Sequence, residues 1–182
     1  PHVGFNYTST GDPDLGFGSA QGGSWQYNLL PYIERVSLHQ LGAGLPSGPA
    51  KTASIVQRTG TAVPIFNCPT RGSGLVSRLV QGPSFGANLF ARTDYSGNVQ
   101  GLMAGMVRTE SANDGLSNII LCGERNLDPD RYYNSYSSPP FDIRRYDSNE
   151  QGWMTGKDHE SLCRGSYRPD INFTTPIQDT PG

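Results

Sequence analysis

Apolar positions recur at helical spacing in one early stretch of the chain and break into short runs after it. Leu29, Ile33 and Val36 fall at i, i+4 and i+7, one face of a helix. Ser24 is placed to cap that helix, and Pro31 either opens its first turn or kinks it. The pattern predicts a helix over 31–41, stopped by Gly42 and Gly44, and a second short helix over 50–58, ended by Gly60. Ahead of both, residues 1–23 are rich in Gly, Ser and Asp and read as a loop.

Further along, the signal is one of strands and turns. Val63-Pro64-Ile65-Phe66 is a short apolar run whose proline fits an edge strand or extended segment. Residues 70–91 are Gly- and Ser-rich and read as loop, and residues 92–95 predict a strand ending in the turn Ser96-Gly97-Asn98. Residues 105–108 are another strand candidate. Asn113-Asp114-Gly115 is a strong turn signal, and Asp114 and Gly115 are assigned to that turn. Residues 117–122 follow as the clearest strand, an apolar run ending in a thiol that fits a central strand buried on both faces. Residues 126–150, dominated by Tyr, Asp, Asn, Ser and Pro, predict a long ordered loop with its tyrosines packed inward. There is no internal repeat and no domain boundary. The fold class that results is α+β, with one main helix on a small antiparallel sheet and long irregular loops.

Composition sharpens this picture. The chain has 182 residues, one domain's worth, with a hydrophobic fraction of 35%. Its 23 Gly and 14 Pro make up about a fifth of the residues, against an average of roughly 12%. Turns and loops are therefore favoured over long helices, while 10% aromatics and 16% charge argue against disorder. The formal net charge is -2, and no basic run interleaves with aromatics, which disfavours nucleic acid or anionic membrane as a partner. No stretch of about 18 apolar residues is present.

Little in the sequence points to catalysis. The three histidines are His2, His39 and His159; His39 reads as a solvated histidine near a helix C-terminus, and the other two as terminal and loop residues. A Cys163–His159 nucleophile pair is flanked by Asp158 and Glu160 and matches no protease signature. No nucleophile elbow, phosphate loop or dinucleotide fingerprint occurs. The expectation is a non-enzymatic protein.

Zinc is disfavoured by the wide separation of Cys68, Cys122 and Cys163. Calcium is the better metal candidate, because Asn126, Asp128 and Asp130 place oxygen side chains at alternate positions. Pro129 and the missing twelfth-position Glu depart from an EF-hand, and the competing reading is a set of Asp and Asn turns. Tyr132, Tyr133, Tyr136 and Trp153 on a polar loop suggest a surface for polysaccharide or another protein, against a reading in which they pack the loop down. An odd cysteine count fits one bridge and one free thiol. Cys122 reads as a core thiol, and Cys68 and Cys163, both on loops, are the preferred bridge.

A set of short motifs runs in order along the chain: Ser24-Trp25, Leu29-Leu30-Pro31-Tyr32-Ile33-Glu34, Phe66-Asn67-Cys68-Pro69-Thr70-Arg71, Thr93-Asp94-Tyr95-Ser96-Gly97-Asn98, Asp114-Gly115-Leu116-Ser117-Asn118 and Cys122-Gly123-Glu124-Arg125. As a set they resemble the planctomycete family of prepilin-like surface proteins that carry a processing-associated His-X9-Asp-Gly domain. The resemblance implies a pilin-like head, an exported location at the cell surface or in the periplasm, and pilin-like subunits or envelope proteins as partners. It implies a structural role in a pilus-like or type II secretion-like assembly, with an extracellular binding module as the alternative. It also implies that the chain is a single domain lacking an N-terminal anchoring helix and a C-terminal strand. Cys68 paired with a fourth cysteine from that missing segment then stands beside the Cys68–Cys163 bridge. The motif residues are expected to be structural: Trp25, Leu29, Leu30, Tyr32 and Ile33 as helix–sheet contacts, Asp94 and Asn98 locking a loop around Tyr95, and Pro31, Cys68 and Pro69 as further scaffold residues. Glu34 and Glu124 are expected to be partly buried acids, with Arg35, Arg71 or Arg125 as partners.

Overall fold

The computed structural model describes residues 10–17, 20–71, 76–78, 89–98, 117, 121–124, 152–154 and 162–163. The expected elements at 105–108, 113–115 and 126–150 lie outside them.

Helices dominate the first part. Asp12 caps a 3-10 turn at Pro13–Leu15, its side chain accepting from Asp14 N–H. Ser24 is extended (φ -63, ψ 166) and its hydroxyl accepts from Tyr27 N–H, which starts α1, Trp25–Leu29. The expected single helix over 31–41 is divided. The chain tightens into a 3-10 turn, Leu30–Ile33, with Pro31 in its first positions, and Glu34 then turns left-handed at φ 61. That residue ends the turn, and α2 restarts as Val36–His39. The division rotates the apolar face. Leu30 takes the fully buried place, while Val36 and Tyr32 are exposed, Tyr32 at 77%. α3, Pro49–Thr59, opens on its proline and ends at Gly60, close to the expected span.

The strands are short and form two sheets. β1, Val76–Arg78, pairs antiparallel with β2, Leu89–Ala91, within the stretch expected to be loop. β3, Tyr95–Asn98, runs through the expected turn at 96–98. It pairs antiparallel with β4, Cys122–Glu124, and parallel with β5, Leu162–Cys163, giving the order β4-β3-β5. The architecture is α+β, but this second sheet is mixed rather than antiparallel. Of the strand expected over 117–122, residues 118–120 lie outside the described residues; β4 shares only Cys122 with it, stands at the edge of that order among the described residues, and has three exposed residues. Cys122 is accordingly an exposed thiol and not a core one. Pro64, which cannot donate to a ladder, places Pro64–Phe66 in a 3-10 turn in place of the expected extended segment. Among the described residues no helix is long and apolar enough to cross a membrane.

One cluster holds the helices to the sheets: Tyr27, Leu30, Val63, Phe66, Ala91, Trp153 and Met154, with Leu29, Ile33, Leu38 and Ala62 packed on it. Trp153, at 0% exposure, ties three segments together. Its backbone N–H donates to Ala91 O at 3.0 Å and its indole N–H to Thr61 O at 3.0 Å, while its carbonyl accepts from Ser24 Oγ at 2.6 Å. The adjoining Gly152 bridges Arg92, and a Cβ there would sit 3.2 Å from Ala91 O, so close backbone approach selects glycine.

Candidate functional site

The polar side chains of the core gather in two places. The first is built on α3. Lys51, Ile55 and Arg58 lie at i, i+4 and i+7 and all are buried. Arg58 reaches under the segment 10–14. Its Nη1 donates to Leu41 O at 3.3 Å and His39 O at 3.4 Å, and its Nη2 to Thr10 O at 3.5 Å and to Gly11 O. Its guanidinium carbon stands 4.8 Å from the centre of the Tyr27 ring, a cation–π contact. Gly11 (φ +83) lies so near that ring that a Cβ would be 2.6 Å from Tyr27 Cδ1. Burial pushes the Tyr27 phenol up to about 12, partly opposed by the Arg58 charge.

Around this centre the same segment is tied down from outside. Lys51 Nζ lies 2.8 Å from both Asp12 and Asp14, and Asp14 also accepts from Gly44 N–H at 2.8 Å. The hydrogen bond from Lys51 holds the Asp14 carboxyl below its ordinary value, and the two carboxylates raise Lys51. Gln21 bonds to Asp12 N–H, Asp12 O and Gly16 O. His39, expected in solvent, is 2% exposed, because the split helix turns it inward. Its ring stacks on Tyr27 at 4.4 Å and under Phe17 at 5.5 Å.

The second place is the meeting point of three separate motifs. Asp94, fully buried, accepts from Cys68 N–H through Oδ2 at 2.7 Å and gives its own N–H to Phe66 O at 2.9 Å. The Thr93 hydroxyl also donates to Phe66 O, at 3.1 Å. Arg71 donates to Asp94 O at 3.4 Å and lies 3.7 Å from Glu124, whose side chain is 53% exposed. Tyr95 faces Glu124 across the β3–β4 pair. Burial raises its phenol, with Cys68, Glu124 and Asp94 adding in that direction and Arg71 opposing.

Several expected roles change in this setting. Trp25 meets Phe66 of the 3-10 turn edge-on at 6.2 Å and Leu30 is in the core cluster with Ala91 of β2, whereas Tyr32 is exposed. Pro31 is half-buried and Pro69 exposed. Glu34 is exposed, because its left-handed backbone directs the chain outward, so it is not the buried acid expected. Glu124 is likewise exposed, although Arg71 is its partner. Cys68 is a buried free thiol 3.0 Å from Thr70 Oγ1, not half of a Cys68–Cys163 bridge. It lies on the loop that follows the 3-10 turn Pro64–Phe66, as expected, but is buried there. Trp153 is fully buried and offers no face to a ligand. The candidates Asn126, Asp128, Asp130, Asp114, Gly115, Tyr132, Tyr133 and Tyr136 lie outside the described residues. Among the described residues no group of three His, Cys, Asp or Glu is arranged to hold a metal.

Sequence reasoning passed over Arg58, Lys51 and Arg92. The first two were visible as charges in register with Ile55 on one helical face. Nothing in the local sequence marks Arg92 as buried. Its guanidinium is lowered by that burial, with Asp94 opposing.

A family profile described as "Protein of unknown function (DUF1559)" matches residues 4–180. No curated protein and no solved structure matches the chain.

Proposed function

The chain belongs to the DUF1559 family, whose function is unknown, and from that premise we propose that it is a non-enzymatic structural head of a cell-surface assembly. The observation that carries this reading is where the motif side chains point. Ser24, Asp94 and Trp153 bond to the chain's own backbone, and the 67–71, 93–98 and 123–124 motifs meet one another. Side chains committed in this way to the chain's own backbone describe a scaffold. The finer proposal is a pilin-like head of the prepilin-like, His-X9-Asp-Gly kind, exported and displayed outside the cytoplasmic membrane. Its partners would be further subunits or envelope proteins.

Immunogold electron microscopy of native cells, with an antibody to this chain, tests the proposal. Gold aligned along filaments supports a subunit of a pilus-like assembly. Gold scattered over the envelope without filaments removes that role.

A further inference from the structure

Among the described residues, His39 occupies a place where a second positive charge has no counterpart. Its ring is enclosed by Tyr27 on one face and Phe17 on the other. Nδ1 contacts the Gln40 amide at 3.2 Å, in the tautomer that leaves the proton on Nε2. Nε2 is buried with no hydrogen-bond partner. Arg58 places its guanidinium on the His39 carbonyl and on the same Tyr27 ring.

The ionisable groups on the elements around it are Tyr27 of α1, Arg58 and Lys51 of α3, and Asp12 and Asp14 of the segment 10–17. Glu34 and Arg35, just before α2, are exposed. Both carboxylates of that segment are already held by Lys51. Burial therefore pulls the imidazole below its ordinary value, and Arg58 acts in the same direction.

We propose that His39 is the trigger of an acid-operated latch, whose protonation releases the segment 10–17 from α1 and α2. Protonation adds an N–H at Nδ1, which then faces the Gln40 amide N–H2 instead of accepting from it, while Nε2–H still has no acceptor and the new charge stands beside a fixed cation. The protonated ring reaches water by displacing Phe17, the outer wall of its slot, which is itself 59% exposed. Phe17 belongs to the segment that Arg58, Lys51 and Gln21 hold, so its departure loosens that segment. The sign follows from the neutral ring being favoured in the folded state. The latch is fully closed above the ordinary imidazole value of 6.5 and is lost as pH falls through the lower folded value.

Hydrogen exchange of the full chain, followed by mass spectrometry at about pH 7.5 and about pH 5 and corrected for intrinsic rates, reads the latch. The expected result is a several-fold loss of protection at 10–17 and 36–44, with 95–98 unchanged, and no such loss in His39→Gln. Equal protection at both pH values overturns the proposal. An undiminished pH response in His39→Gln also overturns it, because the acid-sensitive group is then elsewhere. If His39→Gln does not fold, the parent protein decides. Its His39 ring signal, assigned against His2→Gln and His159→Gln, must titrate together with opening of the 10–17 amides. A ring that protonates while those amides stay protected contradicts the latch.

Discussion

The two buried charged centres solve opposite versions of one problem. Arg58 is a cation that collects backbone carbonyls, from Thr10 and Gly11 on one side and His39 and Leu41 on the other. Asp94 is an anion that collects the Cys68 amide, while its own backbone bonds to Phe66 and Arg71. Each charge is accepted inside because it fastens two stretches of chain that no regular element joins. The difference lies in their neighbours. Arg58 stands beside titratable Tyr27 and His39, so its region responds to pH at both ends of the scale. Asp94 instead holds the Cys68 amide, with Arg92 and Arg71 as the cations nearby.

The comparison is broken most severely at Arg58. Arg58→Met leaves several buried carbonyls unpaired and is expected to cost about 3–5 kcal/mol in urea unfolding. Asp94→Ala orphans the Cys68 amide and is expected to cost about 1.5–3 kcal/mol, whereas Asp94→Asn, which keeps an acceptor, loses less. Tyr27→Phe removes the bond to His39 O (3.1 Å in the parent) and is expected to cost about 1 kcal/mol. The same substitution sharpens the contrast in pH response. The raised phenol means that Tyr27 contributes fully below its ordinary value of 10.0 and that this is lost as pH rises towards about 12. Thermal melts across that range should therefore fall less steeply for Tyr27→Phe than for the parent. At the acid end, the lowered Asp14 carboxyl contributes above 3.8 and is lost as pH falls through its folded value. Asp14→Asn should flatten that part of the melting profile. The smallest effect is expected at Tyr32→Ala, within about 0.5 kcal/mol, because its side chain faces solvent.

These differences also mark what could be read in advance. Ser24 as a cap, Leu30 as a core residue and the helix near 50–58 follow from local chemistry and spacing. Arg71, the partner of Glu124, was one of three arginines, with Arg35 and Arg125, that opposite charge beside the motifs offered. Val36 and His39 were misplaced because the left-handed turn at Glu34 resets the helical phase after it, and glutamate gives no local signal for it; Tyr32, ahead of that residue, is exposed on the 3-10 turn Leu30–Ile33. Trp153 was displaced from a displayed aromatic to the centre of the core by contacts with residues more than 60 positions away, through Ala91, Thr61 and Ser24.

The account rests on the motif charges acting as fasteners of the fold, and Asp94 is where that claim is most exposed. The measurement is urea unfolding of Asp94→Ala beside the parent and Glu124→Ala. Loss of about 1.5–3 kcal/mol for Asp94→Ala, with Glu124→Ala within about 0.5 kcal/mol of the parent, is the predicted result. An Asp94→Ala protein as stable as the parent, or more stable, would contradict it, since that is how a carboxylate kept for a ligand at the expense of stability behaves.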